Sequence, residues 1–249
     1  MPFRPLVTAC VLAAATLFFY GLRSGPLTPE EHVFLAGSRS VAAKPQLFYH
    51  AGDGRWLQPL GLYLTAIVHA VGGGEGSGRI AGAIVGAVNV GLIYVAAHLL
   101  FNHAFLGLAA ALLLMIMPAH WWFAIEGTSA IYPMPFVLTW LAGVAHFLAR
   151  DGSRSLAIAG TGLAVGMLTH PTAPLTMVWL CVLTLVVVPM RRDGSLKNLL
   201  WFGAPMAVMF VLLGLYYGFY PHTYNDTFGR WAIFKAHLRF PLDGLAAQV

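Results

Sequence analysis

Six apolar runs, at about 5–22, 80–101, 104–123, 134–149, 156–189 and 198–220, constrain this chain more than any other feature, because only 9% of its residues are charged. Hydrocarbon offers no water to bare N–H and C=O groups, so runs of this length must close their own backbone hydrogen bonds as helices. The apolar share of 59% also exceeds the roughly 45–50% of soluble domains. The expected fold class is all-α, a polytopic membrane helical bundle.

The run at 156–189 is too long for one crossing. As a single helix at about 1.5 Å per residue it would reach roughly 50 Å, against roughly 30 Å of hydrocarbon. His170-Pro-Thr-Ala-Pro174 interrupts it near the middle, which divides it into two short spans. Trp56 to Val71 is apolar too, but short and broken by Gln58, Pro59 and His69. Charge placement decides how to read it. If it crossed, the short loops Arg150 to Arg154 and Arg191 to Lys197 would face outward, against the positive-inside tendency. Lying on the outer surface as a juxtamembrane helix, it leaves both loops in the cytoplasm with Arg4.

The expected layout is therefore about seven transmembrane helices in an inner (plasma) membrane, with the N-terminus cytoplasmic. Residues 1–220 form a seven-span membrane module with juxtamembrane helices in a first extracytoplasmic loop over 23–79, and 221–249 form an extracytoplasmic tail. The first run has the basic start of a signal peptide but no obvious small-x-small cleavage site, and it is expected to be retained. The net charge of +5 follows from cations between the runs, as topology signals, so no nucleic-acid partner is expected. Cys10 and Cys181 lie inside apolar runs, without metal-ligand spacing or a disulfide setting. Gly72-Gly-Gly-Glu-Gly-Ser-Gly78 lacks the lysine of a phosphate loop.

The long first loop carries most of the candidate chemistry. Glu30 and Glu31 stand side by side in Pro26-Leu-Thr-Pro-Glu-Glu-His-Val-Phe34, and apolar positions from Val33 to Ala42 predict a short surface helix starting near Pro29 with Thr28 as its cap. Its dipole would hold both carboxylates as anions, suited to a base or a metal ligand; an acidic first turn that merely completes the helix start is the plainer alternative. Further along, His50, Asp53, Arg55, Trp56 and Gln58 mix aromatic, cationic and amide groups. They suit a phosphate or sugar, or else an interfacial aromatic belt.

Glu126, at the outer end of the third span, fits either a water-filled cavity or an exposed loop. Arg79 opens the second span as a partner for a lipid phosphate or as a snorkelling cation. His170, at the turn between the two short spans, is placed to touch substrate or to hold the turn. Serine-hydrolase elbows and zinc-protease motifs are lacking.

These segments resemble the membrane glycosyltransferases of the C-type fold, in the branch containing protein O-mannosyltransferases and the lipid A aminoarabinose transferase. Glu30-Glu-His-Val-Phe34 is similar to the acidic first-loop motif of that branch, and Trp56-Leu-Gln-Pro-Leu60 to its His-Pro-Pro-Leu-like segment. Arg79-Ile-Ala-Gly82, Trp122-Phe-Ala-Ile-Glu-Gly-Thr128 and Gly166-Met-Leu-Thr-His-Pro-Thr-Ala173 also look like its members. The resemblance implies transfer of a sugar from a polyprenyl-phosphate lipid donor to an extracytoplasmic acceptor, in contact with membrane lipids. In it Glu30 takes the place of the first-loop acid, acting as base or organising the acceptor and a divalent metal, whose identity stays open. Glu for the commoner Asp at position 30, and Trp or Gln for the first His of the second motif, depart from the pattern. The alternative is a catalytically degenerate scaffold or subunit with a membrane-protein partner. A small-solute transporter would need more mid-membrane polar groups than Asn89.

Overall fold

The computed structural model describes residues 3–20, 25–52, 56–150, 152–190 and 196–219. The first apolar run is helix α1 (Phe3–Tyr20). The first loop is built, not slack: α2 (Pro29–Ala43) leads to an antiparallel pair, β1 (Tyr49–His50) with β2 (Trp56–Leu57), and then to α3 (Pro59–Val68). Ten residues give α3 about 15 Å, half of the hydrocarbon thickness. Gly72 and Gly74, at φ 102° and 56°, then break the helical path in a conformation that side chains resist, and the chain turns into α4 (Ser77–Phe101).

After α4 come α5 (Ala104–Ile116) and α6 (Pro118–Ile125). The sequence expects one span over 104–123; the structure divides this run into two helices bent by 61°. Pro118 lacks an N–H for the helix and drives Met117 into the extended conformation, at φ −65°, ψ 118°. Helices α7 (Met134–Arg150), α8 (Ser153–Gly166), α9 (Ala173–Val187) and α10 (Leu196–Phe219) complete the described chain. The division of 156–189 at His170 is present as the turn between α8 and α9.

Helices thus stand at each expected crossing, yet length separates them. Among the described residues, Pro59–Phe101, Ser129–Arg150 and Leu196–Tyr216 are long and apolar enough to cross a membrane, and the bent α5–α6 pair makes a fourth if it is one span. Arg4–Tyr20 and Ala173–Val187 are apolar but shorter. The chain divides into two units, residues 1–206 and 207–249. Of the second, the structure describes only the end of α10, with Val208, Phe210, Val211, Leu212 and Leu215 exposed. The expected tail over 221–249 lies outside the described residues.

In the first unit α4 is the axis, packed by α1, α3, α5, α6 and α7. Its small residues allow this. A Cβ on Gly82 would sit 2.5 Å from the Ala124 carbonyl oxygen, and one on Gly78 would sit 2.7 Å from that of Gly127. Lipid provides no hydrophobic drive between helices, so close backbone approach and buried hydrogen bonds hold them instead. Tyr20 Oη and His120 Nδ1 are 2.6 Å apart, His120 Nε2 lies 3.4 Å from Asn89 Nδ2, and Trp140 Nε1 donates to Thr184 Oγ1 at 2.8 Å. These contacts join α1, α4 and α6, and α7 to α9. At one end of α4, Phe34, Val41, Leu62, Val85, Ile125 and Tyr132 form a shared core under the first loop. That core fixes α2 and α3 to the ends of α4 and α6.

Candidate active site

The two acids that open α2 part company at once. Thr28 caps the helix: the Glu31 N–H donates to Thr28 Oγ1 at 3.3 Å, and the Thr28 N–H donates to Glu31 Oε2 at 2.7 Å. This reciprocal box turns Glu31 back into the protein. One residue earlier is about 100° round the helix, and Glu30 stands on the exposed side.

Arg79, in the first turn of α4, meets Glu31 across 48 residues of sequence. Its Nε donates to Glu31 Oε1 at 2.7 Å and its Nη2 to Glu31 Oε2 at 2.8 Å, a two-pronged charge-assisted pair. Nη1 donates to the Gly25 carbonyl at 3.0 Å and Nη2 also to that of Pro26 at 2.9 Å. The side chains are only 6% and 2% exposed, so each ion's desolvation must be offset by these bonds. Burial by itself would raise the Glu31 pKa. The hydrogen bonds from Arg79 and Thr28, with the guanidinium charge, outweigh burial and hold it below the ordinary 4.5. A carboxylate held this way is an anchor and a weak proton acceptor.

The pair is walled by Gly127, at φ +71°. A Cβ there would lie 3.0 Å from Glu31 Oε1 and 3.0 Å from the backbone nitrogen of Arg79, so the close approach requires glycine. Glu126, half-buried beside it, accepts from Thr128 Oγ1 at 3.4 Å. The fold therefore brings Glu126 next to the Glu31–Arg79 corner through one residue of chain.

The turn after α8 joins the same end. The Leu60 N–H of α3 donates to the Leu168 carbonyl at 3.1 Å, which ties the α3 start, with buried Gln58 as its cap position, to the turn that carries His170. His170 Nδ1 accepts from the Thr172 N–H at 3.3 Å and lies 2.9 Å from Thr172 Oγ1, which places the proton of a neutral ring on Nε2. His50 is exposed on β1, in register with Trp56 on β2. Arg55 and Asp53 lie outside the described residues, as does the Trp56 side chain. Among the described residues no three His, Cys, Asp or Glu side chains gather in a group able to hold a metal ion.

Sequence reasoning missed the Glu31–Arg79 pairing, the Gly25 and Pro26 carbonyls that complete it, and the glycine that closes over it. The spacing Thr28-x-x-Glu31 was the available signal, since a capping box commits the second acid to the helix start.

The chain belongs to the dolichyl-phosphate-mannose-protein mannosyltransferase family, whose model matches residues 56–217. Arg79, Glu126 and His170 fall inside the matched region, whereas Glu30 and Glu31 precede it. No curated protein and no solved structure matches the chain.

Proposed function

We propose that this protein transfers a sugar from a polyprenyl-phosphate-linked donor to an acceptor on the extracytoplasmic side, through seven spans with the N-terminus in the cytoplasm. The observation that carries the reading is the buried Glu31–Arg79 pair, which pins the start of α2 to the start of α4 and leaves the neighbouring Glu30 exposed at the same corner. Glu30 is the general base. Its carboxylate takes the proton of the acceptor hydroxyl or amine as that atom attacks the anomeric carbon; the bond from carbon to phosphate oxygen breaks, and the polyprenyl phosphate leaves with the electron pair.

Glu31 and Arg79 are positioning residues in this scheme. Four hydrogen bonds to protein occupy most of the guanidinium, so we assign the donor phosphate to Arg55, His50 and Trp56. Gln58, Glu126 and His170 face the sugar or the acceptor, and Glu126 is the second acid of the site.

The test uses the purified full chain in lipid, with polyprenyl-phosphate mannose as donor, mannose being the sugar in the family's name. Glu30→Gln is expected to lower transfer by about 10²- to 10⁴-fold with folding unchanged. Equal transfer by the variant overturns the role of Glu30. No transfer by the native chain, together with its isolation in a stoichiometric membrane complex, favours the scaffold reading instead.

A further inference from the structure

The opposite end of the bundle holds a cavity of about 870 Å³ between α4, α7, α8 and α10. Arg79 lies in the first turn of α4, whereas Leu92 and Val95, on the cavity wall, come roughly 20 to 24 Å further along the helix. The cavity is thus remote from the acidic corner.

Its two sides differ in chemistry. Arg154, Lys197 and Ser153 line one side, where α8 and α10 begin, while Val95, Ile158 and Trp201 supply apolar wall. Arg154 and Lys197 are exposed, and among the described residues neither has an acidic partner; Asp151 and Asp193, on the adjoining connections, lie outside them. Helix α8 opens on Gly152 with no side-chain cap, so its first N–H groups lack a side-chain acceptor at the positive end of the helix dipole. His146 packs its ring against Gly152, and its buried Nδ1 has no partner among the described residues. The Ser153 hydroxyl gives its proton to Asn198 Oδ1 at 2.9 Å, which leaves two cations and the uncapped start of α8 on one rim. A single anion would satisfy them. On the other side, Ile158 is 57% and Trp201 44% exposed, so the apolar wall opens on the surface that a bilayer covers.

We propose that this cavity binds the phosphate headgroup of an acidic phospholipid from the adjacent leaflet, with Arg154, Lys197 and the start of α8 on the phosphate and the acyl chains against Ile158 and Trp201. The cationic rim selects an anion and the apolar wall selects one that carries chains, which distinguishes a lipid from free phosphate. The site is independent of the transfer chemistry, and its test does not require activity.

Native mass spectrometry of the purified full chain in detergent compares dioleoyl phosphatidic acid, the diacylglycerol with the same chains, and inorganic phosphate. Phosphatidic acid is expected to stay bound and to raise the melting temperature, while diacylglycerol and millimolar phosphate do neither. The R154A/K197A double variant changes two exposed side chains; it is expected to melt at the native temperature without lipid and to bind phosphatidic acid about thirtyfold more weakly. I158W, which narrows the apolar wall, is expected to weaken phosphatidic acid in the same direction. Equal retention of diacylglycerol, undiminished binding by the double variant, or inorganic phosphate binding as tightly as the lipid each overturns the proposal.

Discussion

The two ends of the bundle use arginine in opposite ways. At the first-loop end Arg79 is buried and spends its donors on Glu31, Gly25 and Pro26. At the other end Arg154 is exposed beside Lys197 on a cavity rim without an acidic partner among the described residues. A charge that the protein satisfies is part of the framework; one that it leaves to its surroundings is available to a ligand. Adjacent residues differ as well, since Glu31 is buried against Arg79 and Glu30 is exposed.

The largest expected effect separates those two acids. Glu30→Gln should reduce transfer by about 10²- to 10⁴-fold while the melting temperature stays native. Arg79→Ala should instead destabilise the fold by about 3 to 5 kcal/mol, because the Glu31 charge is left buried and alone. Denaturant titration in detergent measures this, and a double variant that also removes Glu31 should recover part of the loss. If Arg79→Ala melts like the native protein and loses only activity, Arg79 belongs with the substrate and the contrast fails.

Gly127→Ala is smaller, about 1 to 3 kcal/mol, since it combines a positive φ with a Cβ pressed on the ion pair. Thr28→Ala should cost about 1 kcal/mol by removing the cap.

Acidification sharpens the comparison further. The folded Glu31 pKa lies below 4.5, so its contribution is fully present above that value and is lost as pH falls through the depressed folded value. The native chain should therefore lose stability on going below about pH 4.5, and a Glu31→Gln variant should show a shallower acid limb. Melting temperatures from pH 6 down to about pH 3 read the difference.

Much of the fold was legible in the residues. Apolar runs located α1, α4, α7 and α10; His170-Pro171 marked the division between α8 and α9; and Thr28-Pro29 marked the start of α2. The α5–α6 bend was less evident, because Pro118 sits in an otherwise unbroken apolar run and composition alone does not weigh a single missing donor. The site was legible only as a set of neighbouring candidates. Glu30 and Glu31 are equivalent in a linear reading; a difference of one position on a helix face sends one to solvent and the other to Arg79.

By itself the sequence determined that this chain is helical and belongs in a membrane, since its long apolar runs admit few other ways to satisfy a backbone. It also determined where an anionic helix start would stand. Only the tertiary structure decided which acid is buried and which exposed, which arginine is spent, and that α8 and α10 gather cations around a cavity. Those outcomes depend on contacts between residues far apart in sequence, such as Glu31 with Arg79 and Leu60 with Leu168, and local propensity carries no record of them.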